Sequence, residues 1–202
     1  KVPTVKWEKL EDGIGHIRFL SFNQIAKSEF DRALRELEKQ GAGERLIFDL
    51  RNNPGGLLDL AIDISSYFLD PGQVVVIEQF ADGSREELKA KSNGQLKDVK
   101  VVILINKGSA SASEIVAGAL HDNLGIKLIG EKTFGKGSVQ QVEDLRFGTA
   151  LKITVAKWLT PKGRSISDEG IEPDIEASRT EEDIKEGRDP QLQRAIEEVK
   201  KL

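Results

Sequence analysis

Five consecutive apolar residues, Val101 to Ile105, lead through Asn106-Lys107-Gly108 into the run Gly-Ser-Ala-Ser-Ala-Ser-Glu and a helical pattern. A short run that is apolar at every position is buried on both faces, as in the middle of a covered sheet. Ile115, Ala119 and Leu120 then share one helical face. The same strand-then-helix order occurs earlier. Leu46 to Leu50 forms a second buried strand, Asn52-Asn53-Pro54-Gly55-Gly56 breaks it, and Leu57, Leu60, Ala61, Ile64 and Phe68 follow at helical spacing. Strands alternating with helices predict an α/β domain built on a largely parallel sheet with helices on its faces.

The remaining segments fit this frame. Val2 to Trp7 and Gly15 to Leu20 read as strands around the turn Glu11-Asp12-Gly13. Ser28 with Asp31 reads as a capping box ahead of Phe30, Ala33, Leu34 and Leu37, with Gly41 as C-cap. Val74 to Phe80 turns at Asp82-Gly83 into Arg85 to Lys89. Ile126 to Ile129, Ser138 to Val142 and Ala150 to Trp158 are further strands. The expected division is a core at 1–176, a charged linker at 177–188 and a C-terminal helix at 189–202. Asp189 caps that helix, Pro190 opens it, and Leu192, Ala195, Ile196 and Val199 form the stripe that docks on the core.

Composition narrows the function classes. A length of 202 residues, 38% of them apolar, is enough for one substantial core. The net charge of −4, with no long basic stretch, argues against a nucleic-acid partner. No apolar run approaches the roughly 20 residues that span a bilayer. The absence of cysteine excludes a thiol nucleophile, zinc–thiolate sites and disulfides. The chain starts at Lys1 and lacks methionine, so a fragment or processed product is expected, with any signal peptide outside it.

Three residues suggest chemistry. Ser111 stands at the strand-to-helix junction, Lys136 follows 25 residues later between Gly135 and Gly137, and Gln140 lies four residues beyond. A serine hydroxyl attacks only when a base removes its proton. His16 lies in a strand pattern and His121 ends a helix beside Asp122; neither brings a convincing acid partner, so a Ser-His-Asp triad is the weaker reading. Lysine serves as the base when neutral, and burial favours the neutral amine. Gln140 is suited to orient the amine or the hydroxyl. The helix start offers the N–H of Ala112 to a developing oxyanion, and the Asn53-Pro54-Gly55-Gly56 turn is the candidate for the second donor. Simpler readings stand beside these. Ser109, Ser111 or Ser113 can each be an N-cap, Gly-Lys-Gly can be a surface turn, and 53–56 can be a plain loop. The lysine segment lacks the glycine spacing of a phosphate loop. No cofactor and no metal is called for.

Together the segments resemble the catalytic domain of the carboxyl-terminal processing proteases, or tail-specific proteases. The matching stretches are DLRNNPGGLL at 49–58, VVILINKGSASASEIVAGAL at 101–120 and GEKTFGKGSVQ at 130–140. KWLTPKGRSI at 157–166, GIEPDI at 170–175 and DPQLQRAI at 189–196 complete them, in family order across most of the chain. The resemblance implies a crotonase/Clp-like spiral ββα core and a serine endopeptidase cutting protein substrates near accessible C-terminal tails. It implies Ser111 as nucleophile, Lys136 as general base, Gln140 as its support, and an oxyanion hole from Ala112 with Gly55 or Gly56. It also implies action outside the cytoplasm, in periplasm, cell envelope or thylakoid lumen, and leaves the oligomeric state open. The PDZ domain that usually precedes this region has no room in the chain. Two other readings compete: a binding module like the retinoid-binding repeats of the photoreceptor matrix, and an inactive assembly domain. The intact Ser, Lys and Gln favour the protease.

Overall fold

The computed structural model describes residues 4–91, 94–144, 149–167 and 169–202. Ahead of the first helix, β1 (Val5–Lys9) and β2 (Ile14–Phe19) pair antiparallel around a 3-10 turn at Glu11–Gly13. The start of the predicted strand Val2 to Trp7 lies outside the described residues. From β2 the sheet is parallel. β3 (Arg45–Asp49), β6 (Lys100–Ile105), β7 (Lys127–Gly130) and β10 (Ile175–Glu176) extend it in the order β1-β2-β3-β6-β7-β10. This is the largely parallel sheet that the apolar runs imply.

A second sheet is the structural addition to that reading. β4 (Val74–Phe80), β5 (Arg85–Lys89), β8 (Ser138–Asp144) and β9 (Ala150–Leu159) form an antiparallel sheet in the order β5-β4-β9-β8. Each strand was legible locally, but their pairing is long-range and has no sequence signal of its own.

The helices fill the layers. α1 (Ala26–Lys39), α2 (Leu58–Ser65) and α3 (Ala112–Leu124) pack against the face carrying Ile17, Phe19, Leu46, Phe48, Ile103 and Ile105. α3 is buried almost all round, since it packs on α2, β4 and β7 together. α1 corrects one expectation: Ser28 does not cap it. Asn23 begins the turn instead, its Oδ1 accepting from Ile25 N at 3.1 Å, and Ser28 sits inside the first turn with its hydroxyl donating to Ile25 O. Gly41 ends α1 as expected, at φ 69°. Leu57 departs from the predicted apolar face of α2; it precedes the helix and is half exposed.

The opposite sheet face, with Ile14, Ile47, Val102, Leu104 and Ile129, is covered by α5 (Pro190–Val199) through Ala195 and Val199, with Leu192 and Ile196 beside them. A short helix, α4 (Glu181–Lys185), lies between β10 and α5, capped by Thr180, whose Oγ1 accepts from Asp183 N.

Beside this second core lies a buried polar ladder. Asp49, at the end of β3, is 2% exposed and accepts from Arg51 N, Nε and Nη2 at 3.0, 3.0 and 2.8 Å. His16 Nε2 approaches the same carboxylate at 3.1 Å, and its Nδ1 meets Glu8 at 3.0 Å. His16 therefore has acid partners that its sequence context did not reveal, one on each of the two strands that flank β2. Burial pushes the Asp49 carboxyl up, but the hydrogen bonds from His16 and Arg51 outweigh it and hold it at about 2. The folded value lies below the usual 3.8. The stability it contributes is therefore complete above pH 4 and is lost as the pH falls toward 2. Asp49→Asn is expected to destabilise the fold at pH 7 by on the order of 3 kcal/mol, because Arg51 is left buried without its main partner. Denaturant unfolding at pH 7 and pH 2.5 checks this: the gap between parent and variant narrows at the lower pH.

Candidate active site

The site forms where three loops meet at the carboxyl ends of β3 and β6 and at the start of β8. The first is the turn 106–111 between β6 and α3. Ser111 ends it with φ 56° and ψ −118°, a strained conformation for a residue other than glycine, as at the sharp strand-to-helix turns that expose a nucleophile. Three serines crowd here, and their hydrogen bonds separate them. Ser109 Oγ donates to Leu50 O at 2.8 Å and accepts from Asn106 N, and Ser113 Oγ donates to Asn53 O at 2.9 Å. Among the described residues, the Ser111 hydroxyl donates to no acceptor.

The second loop is 52–56. Asn52, at φ 56°, and Asn106 clasp the two loops together: Asn52 N donates to Asn106 Oδ1 at 2.9 Å, and Asn106 Nδ2 donates to Asn52 Oδ1 at 3.0 Å. Ala110 N donates to Asn53 O at 3.0 Å. Asn53 is fully buried; its Nδ2 donates to Phe19 O and its Oδ1 accepts from Gly55 N at 2.9 Å. The two glycines thus differ. The Gly55 N–H is taken, while Gly56 N, like Ala112 N, has no protein acceptor among the described residues.

Both glycines are required by contact. A Cβ on Gly55 would stand 2.6 Å from Ala110 O and 2.8 Å from Ser111 Cβ. On Gly56, at φ 147°, it would stand 2.2 Å from Phe22 O, against the parallel bridge that Phe22 makes there. Gly56→Ala is expected to cost on the order of 2 kcal/mol of stability in backbone strain and to disable the loop. Thermal unfolding together with a turnover assay checks both effects.

The third loop carries the lysine. Glu114, in the first turn of α3 and fully buried, ties it to the serine. Its Oε2 accepts from Ser111 N at 2.8 Å and from Lys136 N at 2.9 Å; its Oε1 accepts from Gly135 N at 2.7 Å and from Thr133 Oγ1 at 2.6 Å. Thr133 Oγ1 in turn accepts from Ile171 N at 2.7 Å, which directs its proton to Glu114. Four donors on one carboxyl group leave it no vacant lone pair. Sequence reasoning missed this residue, although Ser111-Ala-Ser-Glu114 has the spacing of a capping box.

The lysine loop is also wedged from below. A Cβ on Gly137 would meet Ser167 N at 2.3 Å, and Trp158 N donates to Gly137 O at 2.7 Å. Asp122 fixes the turn behind, accepting from Lys162 N at 3.0 Å and pairing with Arg164. The stretches 157–166 and 170–175 therefore form the wall behind the lysine. The Lys136 side chain is exposed and, among the described residues, makes no hydrogen bond, including none to Ser111 Oγ. Gln140 is exposed on β8, just past a register shift between Val139 and Gln140, a bulge of the kind that re-aims a side chain. His121 Nδ1 lies 3.1 Å from Ile126 O and 3.4 Å from Asp174, so neither histidine stands with a serine.

The two-sheet core, with its sharp strand-to-helix elbow at Ser111, has the crotonase/Clp-like α/β fold. The chain belongs to Peptidase family S41, whose model matches residues 13–177. It is 43% identical over 176 residues to the carboxy-terminal processing protease CtpA of Bacillus subtilis, covering 87% of this chain and 37% of that protein. It is 46% identical over 162 residues to a carboxyl-terminal-processing protease of Synechocystis, covering 80% of this chain and 37% of that one. Among solved structures, the photosystem II D1 C-terminal processing protease matches with a TM-score of 0.80 at 32% identity, covering 88% of this chain and 49% of that one. The chain thus spans little more than a third of these curated relatives. Among the described residues, no helix is long and apolar enough to cross a membrane.

Proposed function

We propose that this chain is the catalytic core of a serine endopeptidase that cuts protein substrates near their C-termini with a Ser-Lys dyad. The observation that carries the reading is the Glu114 carboxylate, which binds the main chain of Ser111 and of Lys136 at once. A buried carboxylate that joins these two positions serves a reaction that needs both.

Ser111 Oγ attacks the scissile carbonyl carbon while Lys136 Nζ takes its proton. The carbonyl oxygen becomes an oxyanion, met by the N–H groups of Ala112 and Gly56. Gly56 is preferred over Gly55 because the Gly55 N–H is already bonded. The C–N bond then breaks, the lysine ammonium protonates the leaving amine, and an ester remains on Ser111. Water, deprotonated by Lys136, hydrolyses that ester. Gln140 holds the lysine amine in line. In the free chain the amine is open to water, and a bound substrate strand covers it.

The unpartnered Lys136 amine also supports a second reading, a resting core that aligns its dyad only on binding substrate. Residues 1–176 form the core in this account, 177–188 the linker and 189–202 the docked helix. Substrate selection by a further domain and action outside the cytoplasm follow the family; one relative, from Arabidopsis thaliana, is named chloroplastic. Incubation with unfolded casein tests the function. Cleavage by the parent and none by Ser111→Ala supports it; equal cleavage by both sinks it.

A further inference from the structure

The C-terminal helix α5 is bonded to the root of the loop that carries Gly56. Arg51 immediately precedes that loop, and its guanidinium is 7% exposed. One side of the fork grips Asp49, through Nε and Nη2. The other side, Nη1, donates to Asp189 Oδ1 at 2.8 Å and to Gln191 Oε1 at 3.0 Å. Asp189 is the N-cap of α5, its Oδ1 also accepting from Leu192 N at 3.0 Å. Gln191, 2% exposed, is itself fixed, with Nε2 donating to Ala177 O at 2.8 Å. Every group in this chain of bonds is held from two sides, and the two partners of Arg51 Nη1 lie 138 and 140 residues away.

We infer that Asp189 and Arg51 are positioning residues, and that α5 sets the place of the Gly56 N–H through them. The inference rests on the oxyanion reading given above. The geometry favours it over mere packing. α5 already docks through Ala195 and Val199 on a separate apolar cluster. A second, polar attachment to Arg51 adds nothing to that burial, and removing two charges from water is costly unless it fixes something in place. Arg51 N is bonded to Asp49 Oδ1 and Asn52 N to Asn106, so backbone on both sides of the Arg51–Asn52 peptide is pinned. The guanidinium, its anchors on α5 and the loop thereby belong to one bonded frame.

The test uses Asp189→Asn, which keeps the size and the capping acceptor but not the charge, and Arg51→Lys, which cannot make the fork. Val199→Ala is the control, loosening α5 at the apolar cluster only. For a chromogenic peptide, kcat and KM are measured well below the unfolding temperature, with the Ki of a matching peptide aldehyde. The aldehyde adds Ser111 across its carbonyl and so reports the oxyanion site. Asp189→Asn and Arg51→Lys are expected to lower kcat about 10- to 100-fold with KM nearly unchanged, and to weaken the aldehyde by a similar factor. Val199→Ala lowers the unfolding temperature and leaves both readouts near the parent. Parent-like kcat and Ki in Asp189→Asn and Arg51→Lys would overturn the inference, as would an equal loss in Val199→Ala. Ser111→Ala is run alongside. If it still cleaves, the oxyanion reading itself has failed; if it is inactive while Asp189→Asn is unimpaired, only the positioning role has.

Discussion

Lys136→Ala is expected to lower kcat by roughly 10³-fold while leaving thermal unfolding where it was. The two halves of that result have separate causes. The side chain is exposed and makes no hydrogen bond among the described residues, so its removal costs the fold little. The loop keeps its shape because Glu114 holds the main chain of Gly135 and Lys136, not the amine. In the proposed mechanism catalysis loses both its base and the acid that protonates the leaving amine. Lys136→Arg is expected to be as inactive as alanine, since a guanidinium does not give up its proton. Steady-state kinetics with calorimetry on the three proteins checks the set. A variant with parent-like kcat would remove lysine from the mechanism.

Glu114→Gln is the second large effect, and it separates geometry from charge. The carboxylate offers two equivalent oxygens, each taking two donors. The amide offers one oxygen, so its NH₂ must face a pair of donors. If the NH₂ faces Thr133 and Gly135, the hydroxyl can rotate, but the Gly135 N–H cannot. If it faces Ser111 and Lys136, two backbone N–H groups lose their acceptor. Either way a buried donor is left unpaired, at a cost of about 1–3 kcal/mol each. The expected outcome is a folded protein with a lower unfolding temperature and kcat reduced about 100-fold, with KM changed less. Glu114→Asp is expected to be no better, because the shorter side chain withdraws from the lysine loop. In the Lys136→Ala background, Glu114→Gln is expected to add little, as two residues acting as a unit do not lose activity additively. A full additional loss there would show that Glu114 acts apart from the lysine.

What the sequence made legible follows from where the information is local. The buried strands Leu46 to Leu50 and Val101 to Ile105 declare themselves by being apolar on both faces, and the parallel sheet follows from their helical connections. Ser111, Lys136 and Gln140 were legible as residue types in a pattern. In the structure Ser109 and Ser113 are bonded to Leu50 O and Asn53 O, which supports the choice of Ser111 over its neighbours. The side chain of Asn53, bonded to Gly55 N, likewise supports Gly56 over Gly55 as the proposed donor, a contact with no local sequence signal. Partners far apart in sequence left no local trace. Asp49 and His16 are 33 residues apart, Glu114 and Lys136 22, Arg51 and Asp189 138. His16 looked partnerless for that reason. The antiparallel second sheet was missed as a unit because β4 pairs with β9, across α3 and β8.

The most direct test of the central claim is to locate the acyl-enzyme. The parent, Ser111→Ala and Lys136→Ala are treated with an activated peptide ester and quenched in acid, and the adduct is mapped by mass spectrometry. The account predicts one acyl group per chain on Ser111 of the parent, none on Ser111→Ala and little on Lys136→Ala. An acyl group on Ser109 or Ser113, or casein cleavage with no covalent adduct at all, would contradict it.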